Sequence, residues 1–142
     1  MGLVRTLAAG AAVGSATVGG LFFAFSTFVM RGLDRIKPLE AITAMRGINA
    51  EAQANPPFLL LFFGSALVAL AVAVAAAVRL RQPGSGYLLA GAMLSVAAVI
   101  VTIGFNVPLN DYLDSVDVTA DPKQVWRSYS DPWTAWNHVR TV

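Results

Sequence analysis

The sequence predicts an all-α membrane protein, an antiparallel helical bundle with three transmembrane spans, an interfacial helix and the start of a fourth helix. Three observations carry this. Charged residues make up only 13% of the chain, against about 25% in ordinary soluble domains. The mean hydropathy is +0.64. Three uncharged runs, each close to the ~20 residues that a helix needs to cross the hydrocarbon layer, are separated by polar segments. At 142 residues the length suits a single transmembrane helical domain over 1–142.

The first span is expected over residues 6–30, an uncharged run of 25 residues after Arg5. The alternative is a signal peptide with Arg5 as its basic region and cleavage near Ser15-Ala16. The apolar run continues through Leu21–Phe25, beyond the ~7–15 residues of a signal core, which favours the span. Small residues recur every four positions, Gly10 and Gly14, then Ala12, Ala16 and Gly20. On a helix they make a stripe that lets another helix approach closely. Ser26 and Thr27 are expected to bond back to carbonyls one turn earlier.

Residues 39–54 read as an amphipathic helix with Ile42, Met45, Asn49 and Ala52 on one side. It is too polar to span, and it lies at the interface or folds over the bundle end. Asn55-Pro56-Pro57 ends it. The second span is expected over 58–78 and the third over 87–105, antiparallel neighbours joined by the tight turn Gln82–Gly86. Pro108 predicts a kink or stop after the third span, flanked by Asn106 and Asn110. Asp121-Pro122 and Asp131-Pro132 each look like an N-cap followed by a first-turn proline, predicting two helical starts. Residues 122–142 then form an aromatic polar cap. Seven basic residues (Arg31, Arg35, Lys37, Arg46, Lys123, Arg127, Arg140) fall on one side of this arrangement, and Arg5, Arg79 and Arg81 on the other. By the positive-inside rule the first side is cytoplasmic. The expected location is integral to the membrane, namely the cytoplasmic membrane, with the lipid bilayer as the first partner.

The chemistry is narrowed mostly by exclusion. A net charge of +2 with no basic run gives no reason to expect a nucleic-acid partner. The absence of cysteine excludes disulfides, thiolate metal sites and cysteine nucleophiles. No nucleophile elbow, phosphate loop or dinucleotide fingerprint is present. The one histidine rules out a multi-histidine metal site within one chain. His138 with Asp111 could ligate a metal, but no spacing is diagnostic, and no metal or other cofactor is assigned.

What remains is the polar end, which holds all three tryptophans and the histidine. His138 could remove an acidic proton, since its ordinary pKa lies near neutrality. Asn106, Asn110, Asn137 and Arg140 could donate hydrogen bonds to the oxyanion that forms. Trp126, Tyr129, Trp133 and Trp136 would wall an aromatic substrate, with Asn49 as an added polar contact. The competing reading is an interfacial aromatic belt with structural amides.

Four motifs in order carry a resemblance. They are Phe22-Phe23-Ala24-Phe25-Ser26 followed by Val29-Met30; Ala44-Met45 with Ile48-Asn49; Asn106-Val-Pro-Leu-Asn110; and Trp126-x-x-Tyr129 leading to Trp133-x-x-Trp136-Asn137-His138-x-Arg140. Over about residues 20–140 the chain resembles the anthrone oxygenase-like family of small membrane proteins. The resemblance implies a four-helix membrane bundle. It also implies an oxidoreductase that oxidises anthrone-like or phenolic polycycles, with dioxygen as co-substrate. In the implied reaction a base takes the methylene proton and the resulting anion reacts with dioxygen. His138, Asn106, Asn110, Asn137 and Arg140 match the family motifs. The family's fourth span should follow Arg140, so the expectation is a truncated chain or a helix supplied by a partner or a second copy. The alternative function is a non-enzymatic membrane assembly or lipid/quinone-binding protein.

Overall fold

The structure, a computed structural model, describes residues 2–141. The described chain folds into five helices: α1 (Gly2–Leu33), α2 (Pro38–Ala54), α3 (Pro56–Ala77), α4 (Ser85–Ser115) and α5 (Pro122–Thr141). Helices α1, α3 and α4 are each long and apolar enough to cross a membrane. Their outward faces carry large apolar side chains such as Leu60, Leu67, Val74 and Ile100, all exposed. Lipid rather than water suits such a surface.

The helix ends are set by local chemistry. The Phe58 amide donates to Asn55 Oδ1 at 3.0 Å, which caps α3. The Gln124 amide donates to Asp121 Oδ1 at 3.0 Å and caps α5 in the expected way. Between α3 and α4, Gly84 takes φ of 85°, a left-handed turn that favours glycine. The chain therefore reverses at once, and α3 packs along both α4 and α1.

The core changes character along the bundle. At the far end it is built from small residues, Ala11, Ala69, Ala73 and Ala92 with Val72. The small-residue stripe of α1 is used at one place. A Cβ on Gly14 would stand 2.6 Å from Ser65 Cβ, whereas Gly10 and Gly20 have nothing within 4 Å. Midway, Val18, Phe22 and Phe62 pack together. At the polar end Met30, Ile42, Met45, Leu113, Trp126, Tyr129 and Trp133 form one cluster. Burying Ile42, Met45 and Leu113 fully contributes roughly 1.5–3 kcal/mol each.

Helix α2 folds over the bundle end. Its predicted face is the buried one: Ile42, Met45 and Asn49 are buried and Ala52 is half-buried. Arg46 fastens the end of α4 beneath it, donating from Nε to Leu113 O and from Nη2 to Val116 O, both at 2.9 Å. These bonds satisfy carbonyls that a helix terminus leaves free.

Neither Pro108 nor Pro132 stops its helix. Pro132 lies inside α5 rather than at a new start. The amide it lacks would serve the Ser128 carbonyl, on an exposed turn where solvent can replace it. The buried stripe Trp126, Tyr129, Trp133 and Asn137 stays in register only on a continuous helix, and that packing outweighs a proline cost of ~3 kcal/mol. Pro108 likewise does not stop α4. A widened π turn, Thr102–Asn106, precedes it, and the helix runs on through the proline. A second π turn, Phe25–Val29, interrupts α1.

Helix α5 runs back into the bundle between these two π turns. Arg140 therefore lies among the spans rather than with the loop cations, leaving six basic residues against three in the orientation count. Val142, included in the expected cap, lies outside the described residues.

Candidate active site

The site grows from one face of α5. Trp126, Tyr129, Trp133 and Asn137 are buried on that face, and Arg140 continues it half-buried. The spacing follows the helical repeat, so one stripe presents aromatic rings first and polar groups deeper in.

Near the helix start the aromatic residues are anchored by hydrogen bonds. Trp126 Nε1 donates to Asp34 Oδ1 at 2.8 Å. Tyr129 Oη donates to Asn110 Oδ1 at 3.0 Å, and Trp133 Nε1 donates to the same oxygen at 2.8 Å. Asn110 thus gathers two aromatic donors through one carbonyl oxygen. Burial raises the Tyr129 pKa, keeping its phenol protonated as a donor; the nearby Asn49 amide opposes this in part. Even so, Asn49 Nδ2 closes no hydrogen bond, and Asn49 is only 4% exposed.

Deeper in, Asn137 ties α5 to the π turn of α1. Its Nδ2 donates to Phe22 O and to Ser26 Oγ, both at 2.8 Å. Ser26, expected to serve only its own helix, is instead the bridge, and its hydroxyl also pairs with Thr141 Oγ1 at 3.2 Å. Thr27 behaves as expected, bonding back to Phe23 O at 2.7 Å. On the other side Asn106 Nδ2, from the π turn of α4, donates to Trp133 O at 3.1 Å. Asn106 Oδ1 is buried without a partner. Each π turn displaces one polar side chain toward α5, a common use of such turns near functional sites.

Arg140 closes the arrangement. Its Nε donates to Asn137 Oδ1 at 2.9 Å and its Nη1 to Thr102 Oγ1 at 3.0 Å. The guanidinium stands 3.9 Å from the centre of the Phe22 ring and 5.2 Å from that of Trp133. Among the described residues the one ion pair is Lys37–Glu40, on the surface at 3.6 Å, so no carboxylate there neutralises Arg140. Phe22 lies eleven residues before the end of α1, roughly 17 Å along the helix axis at the usual rise of about 1.5 Å. A cation held at that depth without an acid partner is costly.

These groups border a pocket of about 460 Å³, within the roughly 300–1,000 Å³ typical of small-molecule sites. Its walls are Phe22, Phe25, Phe58, Phe62 and Trp133, and its polar lining includes Asn49, Asn110, Thr102 and Arg140. Leu21, Phe63 and Ile103, all partly open to the surroundings, line the side that faces lipid, while Glu51, Gln53 and Asn55 form a polar rim.

Of the residues expected from the sequence, Asn49, Asn110, Trp133 and Arg140 meet in the pocket lining. Asn106 and Asn137 lie behind it as supports. Trp126 and Tyr129 are anchors in the cluster at the polar end. Trp136 stacks on Phe105 at 3.5 Å, also outside the pocket lining. His138 is not brought to the others. It is exposed, its side chain makes no hydrogen bond with the described residues, and it does not line the pocket. The reason is helical geometry, since one residue beyond Asn137 turns the side chain by about 100°. Among the described residues no three His, Cys, Asp or Glu side chains come together. The sequence reading missed Phe22, Thr102 and Glu51. Phe22 enters that reading only as part of a family-like motif, and nothing in it singles out Thr102 or Glu51.

The anthrone oxygenase family model matches residues 58–142, more than half of the chain. The chain belongs to the anthrone oxygenase family. The matched segment contains Asn110, Trp133 and Arg140, whereas Phe22 and Asn49 come from the part that precedes it. No curated protein and no solved structure matches the chain.

Proposed function

We propose that this protein is a membrane oxygenase that oxidises an anthrone-like or phenolic polycyclic substrate with dioxygen in the pocket beside Arg140. The observation that carries the reading is the meeting of Arg140, Asn49 and Asn110 at an aromatic-walled pocket with a lipid-facing side. Family membership supports it, but a fold can host several activities.

The reaction converts a ring methylene and dioxygen into a ring ketone and water. Removal of one methylene proton gives an anion whose charge rests on the ketone oxygen. Arg140 and the Asn49 amide are donors suited to that oxygen. Their effect is greatest where water is excluded. Glu51, the carboxylate on the pocket rim, takes the place of His138 as acceptor for the proton. The carbanion carbon then bonds to dioxygen, and the peroxide is protonated. Loss of the second hydrogen as a proton, with cleavage of the O–O bond, releases water and leaves the quinone carbonyl. Dioxygen is the oxidant, so the electrons balance without another redox partner.

Oxygen uptake with anthrone by the purified protein tests the reading. Uptake that falls in Arg140→Gln and Glu51→Gln but persists in His138→Ala supports it; no uptake by the wild type rejects it. The second reading is a non-enzymatic lipid- or quinone-binding protein, favoured by a lining with several donors and a single carboxylate. It predicts saturable quinone binding without oxygen uptake.

A further inference from the structure

The pocket's hydrogen-bonding capacity is lopsided. Asn110 Oδ1, an acceptor of a lining residue, is already taken by Tyr129 and Trp133. Asn49 Nδ2 is a buried donor near the Tyr129 phenol that completes no hydrogen bond with the described residues. Arg140 uses Nε and Nη1 on Asn137 and Thr102, and its Nη2 makes no hydrogen bond with the described residues. The guanidinium is therefore fixed through two of its nitrogens, with Nη2 left unengaged. Both unengaged donors belong to residues that line the same pocket. The nearest carboxylate in the lining is Glu51, and it is on the exposed rim.

From this we infer that the pocket selects an aromatic ligand bearing an anionic oxygen group, a carboxylate or phenolate, on the end that reaches Arg140, and discriminates against a neutral ligand of the same shape. The inference rests on the reading of this pocket as the ligand site and not on the oxidation itself. The aromatic body lies against Phe25, Phe58 and Trp133. The anionic oxygens take hydrogen bonds from Arg140 Nη2 and Asn49 Nδ2. Such a ligand neutralises the one deep cation and satisfies the orphaned amide together. A neutral hydrocarbon does neither, and leaves both groups unpaired away from water. Arginine suits the role better than lysine, because its planar guanidinium can donate to Asn137 and Thr102 through Nε and Nη1 while Nη2 remains for a ligand oxygen.

The test uses the full protein in nanodiscs, with anthracene-9-carboxylate and 9-methylanthracene as probes. Binding is followed by energy transfer from tryptophan to the anthracene. The ratio of the two dissociation constants is compared between proteins, which cancels partition of each probe into lipid. The wild type is expected to favour the carboxylate by about tenfold or more over Arg140→Gln in this ratio. Arg140→Lys is expected to restore part of the preference. Should Arg140→Gln fail to fold, Asn49→Leu serves as the second variant, with a loss of about threefold to tenfold confined to the carboxylate. A ratio unchanged in Arg140→Gln, Arg140→Lys and Asn49→Leu overturns the inference, as does failure of both probes to bind. Oxygen uptake with anthrone but no carboxylate preference leaves the oxygenase reading standing and removes this one. A preference without uptake does the reverse.

Discussion

Arg140 Nη1 donates to Thr102 Oγ1 at 3.0 Å, joining the last turn of α5 to the π turn of α4. The bond spans 38 residues of sequence. It holds a cation at a depth where the three long helices supply no other charge. The same guanidinium bonds Asn137, which is bound in turn to the π turn of α1. The two irregular turns thereby act as the jaws that position one arginine.

Replacing Arg140 with Gln keeps a donor but removes the charge and the fork. Oxygen uptake with anthrone is expected to fall by about 10²-fold or more, the usual scale for losing a donor to a developing oxyanion. Arg140→Lys should recover little of it, because a lysine ammonium cannot hold Asn137, Thr102 and a ligand in one plane. Steady-state kinetics separate a loss in kcat from a loss in KM.

Asn137 is fully buried and serves Phe22, Ser26 and Arg140. Asn137→Ala removes the side-chain donor to Phe22 O and the acceptor of Arg140 Nε inside the bundle. The cost should be roughly 2–6 kcal/mol, two groups at the usual penalty for burial without a partner. Thermal unfolding in detergent reads this as a lowered midpoint, and an unchanged midpoint would show that water reaches the site freely.

Asn110→Ala removes the oxygen shared by Tyr129 and Trp133. Both donors lose their partner, at about 1–3 kcal/mol each. Asn110→Asp keeps an acceptor for both and should retain most of the stability. Comparing the two variants by near-ultraviolet circular dichroism distinguishes loss of the acceptor from general damage.

Gly14→Ala places a Cβ 2.6 Å from Ser65 Cβ, so α1 and α3 must part. An overpacking cost of roughly 1–3 kcal/mol is expected. Gly10→Ala meets nothing within 4 Å and should be neutral or stabilising by up to about 1 kcal/mol, the helix-propensity gain. Equal melting temperatures for the two variants would contradict the close approach at Gly14.

His138→Ala removes an exposed side chain with no hydrogen bond to the described residues. Oxygen uptake should stay within about twofold of wild type, as for ordinary surface changes. A loss comparable to that of Arg140→Gln would return His138 to the role of base.

The three apolar spans, the amphipathic α2 and the cap at Asp121 are legible in the sequence because each rests on local chemistry. Hydrocarbon length, helical period and a side-chain oxygen beside free amides act within a few residues. Asn49, Asn110, Trp133 and Arg140 are also recoverable as candidates, since polar groups beside long apolar runs are conspicuous. Pro108 and Pro132 mislead for the same reason. Their local signal is a break, and local rules do not contain the packing that carries a helix through it. Ser26 and Thr102 are equally opaque. A hydroxyl in a span ordinarily bonds its own helix, and only the neighbouring helix reveals another partner.

Two neighbours on α5 show the division most sharply. From composition and period alone, Asn137 and His138 are equal candidates at the polar end of an all-helical chain. The fold buries Asn137 between two π turns and leaves His138 exposed. The rotation of α5 about its axis makes that choice. It is set by the fit of Trp126, Tyr129 and Trp133 against α1, α2 and α4, contacts between segments far apart in the chain. Hydrophobicity along the sequence determines which segments are helices and which cross lipid. Which face of the last helix meets the pocket depends on long-range packing, and so on the folded bundle.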